Sequence, residues 1–326
     1  MSSRIAACAV LLAGLSGLES AYADGTPTFV RAWGTTGSAD GQFNRPIGVA
    51  VSGNAVFVLE REGNRVQKFD TSSTFITKWG SSGLNPGQFA SPQGVAIDAD
   101  GNVYVADSNR NRIQVFTATG AFIRQWGTFG AADGQFKVPI GIAIDGSGNV
   151  FVADSQNHRV QKFTTTGAFL AKWGSVGTAD GQFVAPYGVA VDAAGSVYVG
   201  DYDATNASIQ KFTSAGQFTS RWGAGILGSG GLGNPAGLTV NSSGNILVTD
   251  HACSCVQVFD NSGQFILSFG GPGTGPSQFT FPWGISTDGG GNIYVADLLN
   301  DRVQVFTPGS TPAIGTTWGR VKATYH

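Results

Sequence analysis

Short runs of apolar residues, four to seven long and separated by polar turns, recur along almost the whole chain. In one such stretch Gly94–Asp98 is apolar, Ala99-Asp100-Gly101-Asn102 reads as a tight turn, and Val103–Ala106 is a second apolar run. Asp107–Arg112 is polar, Ile113–Phe116 is a third run, Thr117–Gly120 turns again, and Ala121–Trp126 ends the unit. Two-residue alternation at Val103/Val105 around Tyr104, and at Ile113/Val115 around Gln114, predicts strands. Four strands joined by short turns, with about a dozen residues leading to the next set, predict one antiparallel blade.

The unit repeats. Gly48, Gly94, Gly141, Gly188, Gly237 and Gly284 each open an apolar strand after a Pro-x step, as in Pro46-Ile47-Gly48 and Pro139-Ile140-Gly141. A Gly-Gln-Phe step precedes most of them, at Gly41-Gln42-Phe43, Gly87-Gln88-Phe89, Gly134-Gln135-Phe136 and Gly181-Gln182-Phe183, with Ser277-Gln278-Phe279 in the sixth. A repeat near 47 residues whose faces no single unit can bury is the signature of a ring of stacked units. The expected fold is all-β, a single six-bladed β-propeller of four-stranded antiparallel blades over residues 24–320, with 321–326 as a tail. There are seven Trp-Gly or Phe-Gly strand ends for six blades, from Trp33 to Trp318. Closure that hides both free edges is expected from Thr28–Trp33 as outer strand of the last blade, displacing Thr311–Trp318, whose connector is longer and holds Pro308 and Pro312; the reverse arrangement is the alternative.

These motifs resemble the NHL-repeat six-bladed β-propellers over residues 28–318, on Pro92-Gln93-Gly94-Val95-Ala96, Gly101-Asn102-Val103-Tyr104-Val105-Ala106-Asp107 and Asn111-Arg112-Ile113-Gln114-Val115-Phe116. The resemblance implies a binding platform in most settings and RNA binding in animal members. Some similar propellers are metal-dependent peptidylglycine amidating lyases, and related six-bladed folds include lactonases. The histidines that the lyase resemblance would place after the strand-entry proline are missing in all six units.

Composition narrows this picture. The chain has 49 glycines in 326 residues, 41% hydrophobic and only 12% charged residues, which suits turns and an apolar core rather than a coiled coil or a disordered chain. A net charge of −2 supplies no basic surface for nucleic acid. Met1–Arg4, the apolar Ile5–Leu18 and Ala21-Tyr22-Ala23 read as a bacterial-type signal peptide over 1–23, cleaved near Ala23. The product is expected in the periplasm or secreted, with no membrane span.

Because the units are near copies, each serves as a control for the others. An acid five residues before an arginine recurs as Glu60/Arg65, Asp107/Arg112, Asp154/Arg159 and Asp297/Arg302. A feature present in most units is read as a structural brace of the loop between the second and third strands, rather than as paired carboxylates for acid–base work. Ser208 and Cys255 replace the arginine in units four and five. Cys253 and Cys255 are expected to form a small disulfide in an exported protein, the alternative being a metal site with His251 that lacks a visible fourth ligand. His158 reads as a solvated loop residue.

Departures cluster at two slots expected to face the channel mouth. The residue after the proline is Ile47, Gln93, Ile140, Tyr187, Ala236 and Trp283; the residue after the loop acid is Arg61, Ser108, Ser155, Tyr202, His251 and Leu298. Tyr187, Tyr202, His251, Trp283 and Leu298, with Leu299 beside them, form the candidate ligand-binding patch, suited to a protein, peptide or glycan. No catalytic residue, metal ligand or cofactor is assigned. The alternative is a metal-dependent propeller enzyme of lyase or lactonase type with its site at the channel mouth.

Overall fold

A computed structural model describes residues 25–223 and 230–309. The expected leader, the Thr311–Trp318 segment and the C-terminal tail lie outside the described residues. Among the described residues twenty-four strands form six separate four-stranded antiparallel sheets. In the first blade they are Pro46–Ser52, Ala55–Glu60, Arg65–Asp70 and Phe75–Trp79. The second begins at Gly94–Ile97, the third at Pro139–Ile144, the fourth at Pro186–Val191, the fifth at Pro235–Val240 and the sixth at Pro282–Thr287. Among the described residues no helix is long and apolar enough to cross a membrane.

The last blade borrows its outer strand from the beginning of the chain. Thr28–Trp33 pairs antiparallel with Arg302–Thr307, Phe29 opposite Phe306 and Trp33 opposite Val303. Pairing the first and last described strands in one sheet leaves the seam with a hydrogen-bonded ladder like that of the other blades.

Each core cluster lies between neighbouring blades. One holds Ile47, Leu59 and Val66 of the first blade against Phe89, Val103 and Phe116 of the second. Each Phe of the Gly-Gln-Phe step (Phe43, Phe89, Phe136, Phe183), and Phe279 of the sixth unit, is fully buried. The preceding Gln folds back to cap its own connector, as where Gln88 Oε1 accepts Asn85 N–H at 3.1 Å.

The strand-entry glycines set the diameter of the ring. A Cβ on Gly94 would stand 2.0 Å from Ile140 O, and one on Gly141 would stand 2.1 Å from Tyr187 O. In each case the obstacle is the backbone of the next blade, which cannot rotate aside. Gly141→Ala is accordingly expected to lower stability by about 1–3 kcal/mol or more, whereas Gly146→Ala, with nothing within 4 Å, should be near neutral. Urea unfolding of the two variants side by side checks this.

The inner strands enclose an axial channel in two chambers. A cavity of ≈ 70 Å³ at the strand-entry end is ringed by Ile47, Gln93, Ile140, Tyr187, Ala236 and Trp283. A larger one of ≈ 250 Å³ lies further along, ringed by residues such as Ala96, Ala143, Ala190, Thr239 and Ser286. Val49, Val95, Ile142, Val189, Leu238 and Ile285 border both.

Candidate aromatic site at the channel mouth

The recurring ions are braces with a wider reach than the loop. In four blades the arginine Nε donates to the loop acid at 2.5–2.8 Å, as Arg65–Glu60, Arg112–Asp107, Arg159–Asp154 and Arg302–Asp297. The rest of the guanidinium binds connector carbonyls. Arg112 Nη1 donates to Leu84 O, and Nη2 to Asn85 O and Gln88 O; Arg159 meets Ala131, Ala132 and Gln135 in the same order. The acid accepts a backbone N–H from the strand entry, Asp107 from Ala90 and Asp154 from Lys137. It also accepts the third-strand glutamine, as from Gln114 and Gln161. Burial pushes the carboxyls of Glu60, Asp107 and Asp154 above their usual range, opposed by these donors.

Blades four and five are built differently, and both supply the site. Asp201 accepts Val184 N–H and Ala185 N–H, and Asp250 accepts Gly233, Asn234 and Ala252 N–H together with Gln257 Nε2. In blade five Cys253 is joined to Cys255 with Cα atoms 5.2 Å apart, so a covalent link closes the loop where blades one, two, three and six use an ion pair. In blades two, three and six the loop opens with a 3-10 turn at Ser108–Arg110, Ser155–Asn157 and Leu298–Asn300. That turn tucks its first residue inward: Ser108 is fully buried and donates to Pro139 O at 2.6 Å. Leu298 tucks in the same way, into the cluster with Ile47 and Leu59, beneath the face rather than on it. Among the described residues blades one, four and five have no such turn.

Tyr187, Tyr202, His251 and Trp283 make a closed ring of contacts. Tyr187 stacks on Tyr202 with centroids 4.5 Å apart and planes at 28°. Tyr202 meets His251 edge-on at 5.6 Å, His251 meets Trp283 at 4.8 Å, and Trp283 returns to Tyr187 at 5.8 Å. Blade five contributes only Ala236 at its strand entry, buried to 2% exposure. That small side chain lets Tyr187 of blade four reach Trp283 of blade six. The tyrosines and the tryptophan are half-buried and His251 is the floor at 7% exposure. Tyr202 Oη lies 3.3 Å from His251 Nδ1, and among the described residues Nε2 has no hydrogen-bond partner. Burial lowers the His251 pKa to about 4, against the raising effect of the Asp250 charge, so the imidazole is neutral at pH 7.

One aromatic escapes the slot argument. Phe281, 44% exposed, stands 5.0 Å from His251 in the position before the strand-entry proline. Its φ is +58°, as Arg45, Ser91 and Val138 in that position also have positive φ, a conformation costly for a bulky side chain. The recurring position was visible in the sequence; its backbone geometry was not. His158 is likewise no free loop residue. It takes φ +54° and places Nδ1 2.7 Å from Val184 O, an inter-blade tie in the slot where Asn111 accepts Val138 N–H.

The loop acids are all buried and hydrogen-bonded to backbone, and among the described residues no three His, Cys, Asp or Glu side chains are grouped to hold a metal. The NHL repeat model matches residues 43–69, 89–116, 136–163, 232–259 and 279–306, one stretch in each blade except the fourth. No curated protein matches the chain. Among solved structures, one titled streptogramin B lyase covers 86% of this chain and 98% of its own at 14% identity and TM-score 0.59. Virginiamycin B lyase from Staphylococcus aureus covers 81% and 95% at 16% identity and TM-score 0.58. A gluconolactonase from Xanthomonas campestris covers 88% and 98% at 16% identity and TM-score 0.62. At these identities the likeness concerns the fold alone.

Proposed function

We propose that this chain, a six-bladed propeller that carries NHL repeats, is an exported non-catalytic binding protein whose strand-entry face captures a protein, peptide or glycan on its aromatic sector. The observation that carries the reading is the closed contact ring of Tyr187, Tyr202, His251 and Trp283, flanked by the exposed Phe281. Flat apolar faces with polar tips suit a sugar ring or a peptide side chain and lose little conformational entropy on binding. The ring spans three adjacent blades, while blades one to three present Ile47, Gln93 and Ile140 at the corresponding entry slot. A disulfide in the loop beside the site fits the oxidising compartment that the leader implies.

Peptide and glycan arrays probed with the full chain provide the test. A ligand retained by wild type is expected to be lost, by at least tenfold in affinity, from the variant carrying Tyr202→Ala and Trp283→Ala, with thermal stability nearly unchanged. Equal retention by both proteins removes the aromatic sector from the reading.

The lyase and lactonase structures that share the fold make a metal-dependent enzyme the second reading. It needs oxygen or nitrogen ligands converging on the channel, and the loop acids are already committed to backbone amides. Stoichiometric metal in the dialysed full chain, with turnover of a lactone or a cyclic depsipeptide, would replace the first reading by the second.

A further inference from the structure

Of the three loops without the 3-10 turn, two bring Tyr202 and His251 to the aromatic sector, and the third brings Arg61 to the same face. All three are tethered alike. Tyr202 N–H donates to Ala185 O, His251 N–H to Asn234 O and Arg61 N–H to Arg45 O, at 2.8–3.1 Å, each acceptor being the residue before the strand-entry proline. Arg61 therefore stands at the channel mouth in blade one, whose Ile47 packs with Leu298 and Trp283 of blade six. With His251 neutral, Arg61 is the one formal charge among the residues of the two mouth slots.

This guanidinium is not tied into the fold as the brace arginines are. Its side chain is 40% exposed, and its ion contact with the exposed Glu62 spans 3.8 Å, a geometry that contributes little. Among the described residues its Nε is buried without a hydrogen-bond partner. Blades one and four stand opposite each other, yet the two slots are in electrostatic reach: burial pushes the Tyr187 hydroxyl up, and the Arg61 charge opposes the rise. Arg45 adds a second guanidinium to blade one, in the position that Phe281 holds in blade six, with its backbone N–H fixed by Asp301. At the other end of the sector, in the loop after Tyr202, the Asp203 carboxylate is held by Thr205 and Asn206. The aromatic faces thus lie between an acidic end at blade four and a basic end at blade one.

Shape narrows the ligand further. The mouth cavity holds ≈ 70 Å³, well below the roughly 300 Å³ of a small enclosed ligand pocket, so a ligand lies across the open face. The stacked Tyr187–Tyr202 pair, with Trp283 beside it, offers flat surface to a sugar ring, whereas peptide side chains anchor in pockets. We propose that the ligand of the aromatic sector is an acidic glycan: the ring of a uronic acid lies on Tyr187 and Trp283, and its carboxylate pairs with Arg61. Resting on the aromatic reading, this assignment selects among the ligands that reading allows. A planar guanidinium receives a carboxylate through two parallel N–H bonds, and Arg45 stands near for the next carboxylate of the same glycan.

Trigalacturonic acid and its methyl ester, which keeps the rings and removes the charges, are titrated into the full chain by calorimetry. The acid is expected to bind about tenfold tighter than the ester. Arg61→Gln should weaken the acid about tenfold and leave the ester within about twofold. Should that variant fail to fold, Glu62→Gln carries the test, because removing the competing carboxylate should tighten the acid about twofold and not the ester. The Tyr202→Ala, Trp283→Ala double variant should lose both ligands. Equal affinity for acid and ester in wild type, with both lost from the double variant, overturns the proposal and leaves the aromatic reading standing. Undiminished binding of the acid by the double variant removes both. Failure of acid and ester alike to bind, or tighter binding of an Ala-Ala-Phe peptide with a free carboxylate, also overturns the acidic glycan, while the array test still decides the aromatic sector by itself.

Discussion

Arg112→Met is expected to cost about 3–5 kcal/mol of folding stability, the loss associated with leaving one member of a buried ion pair behind. Arg112 and Asp107 are 7% and 0% exposed and 2.8 Å apart. Removing the guanidinium leaves Asp107 charged in the interior. It also strips donors from Leu84 O, Asn85 O and Gln88 O and from Gln125 Oε1. Adding Asp107→Leu should recover only part of the loss, because the carboxylate also receives Ala90 N–H and the connector carbonyls remain unpaired. Denaturant unfolding of both single variants and the double gives the coupling energy. A cost below about 1 kcal/mol for Arg112→Met would mean that the connector is held by other contacts, and the reading of the recurring ions as braces would fall.

The same comparison explains how far the sequence could be read. Strand count and blade boundaries follow from spacing alone, because six copies of one unit average away local ambiguity; spacing left two candidates for the closing strand, and the pairing of Thr28–Trp33 with Arg302–Thr307 decides between them. The acid–arginine pairs were also legible, since a side chain needed by most blades recurs in most blades. What stayed hidden depends on geometry that spacing does not encode. The slot after the loop acid was read as facing the mouth in every blade, yet a 3-10 turn buries Ser108, Ser155 and Leu298, and only the two divergent loops present Tyr202 and His251 to one another. Arg221 restores part of the lost brace of blade four from a different strand, in the slot where Lys78 and Lys172 pair with Asp40 and Asp133. Pattern matching along one strand could not connect Arg221 with a missing residue on the neighbouring strand. Phe281 was passed over because the position before a strand-entry proline holds unlike residues in each blade, and the positive φ that turns its side chain is not written in the sequence.

Acid should weaken this protein through His251. The imidazole is 7% exposed among Tyr202, Trp283 and Phe281, and burial sets its pKa to about 4 against 6.5 for the free side chain. A histidine with a depressed pKa binds its proton more weakly when folded than when unfolded. The stability it contributes is therefore complete above pH 6.5 and is lost as the pH falls towards 4. At about 1.4 kcal/mol per pH unit the full interval corresponds to roughly 3 kcal/mol. Asp201 works in the opposite direction, because burial raises its pKa and protonation relieves a buried charge. The diagnostic quantity is consequently the difference between wild type and His251→Phe, in which titrations not coupled to the imidazole cancel. Unfolding free energies measured from pH 7 to pH 4 should diverge by roughly 3 kcal/mol, with wild type losing more. Parallel curves would show that the imidazole charges without cost, that the floor of the aromatic ring is wet, and that the four side chains do not form the closed surface on which ligand capture depends.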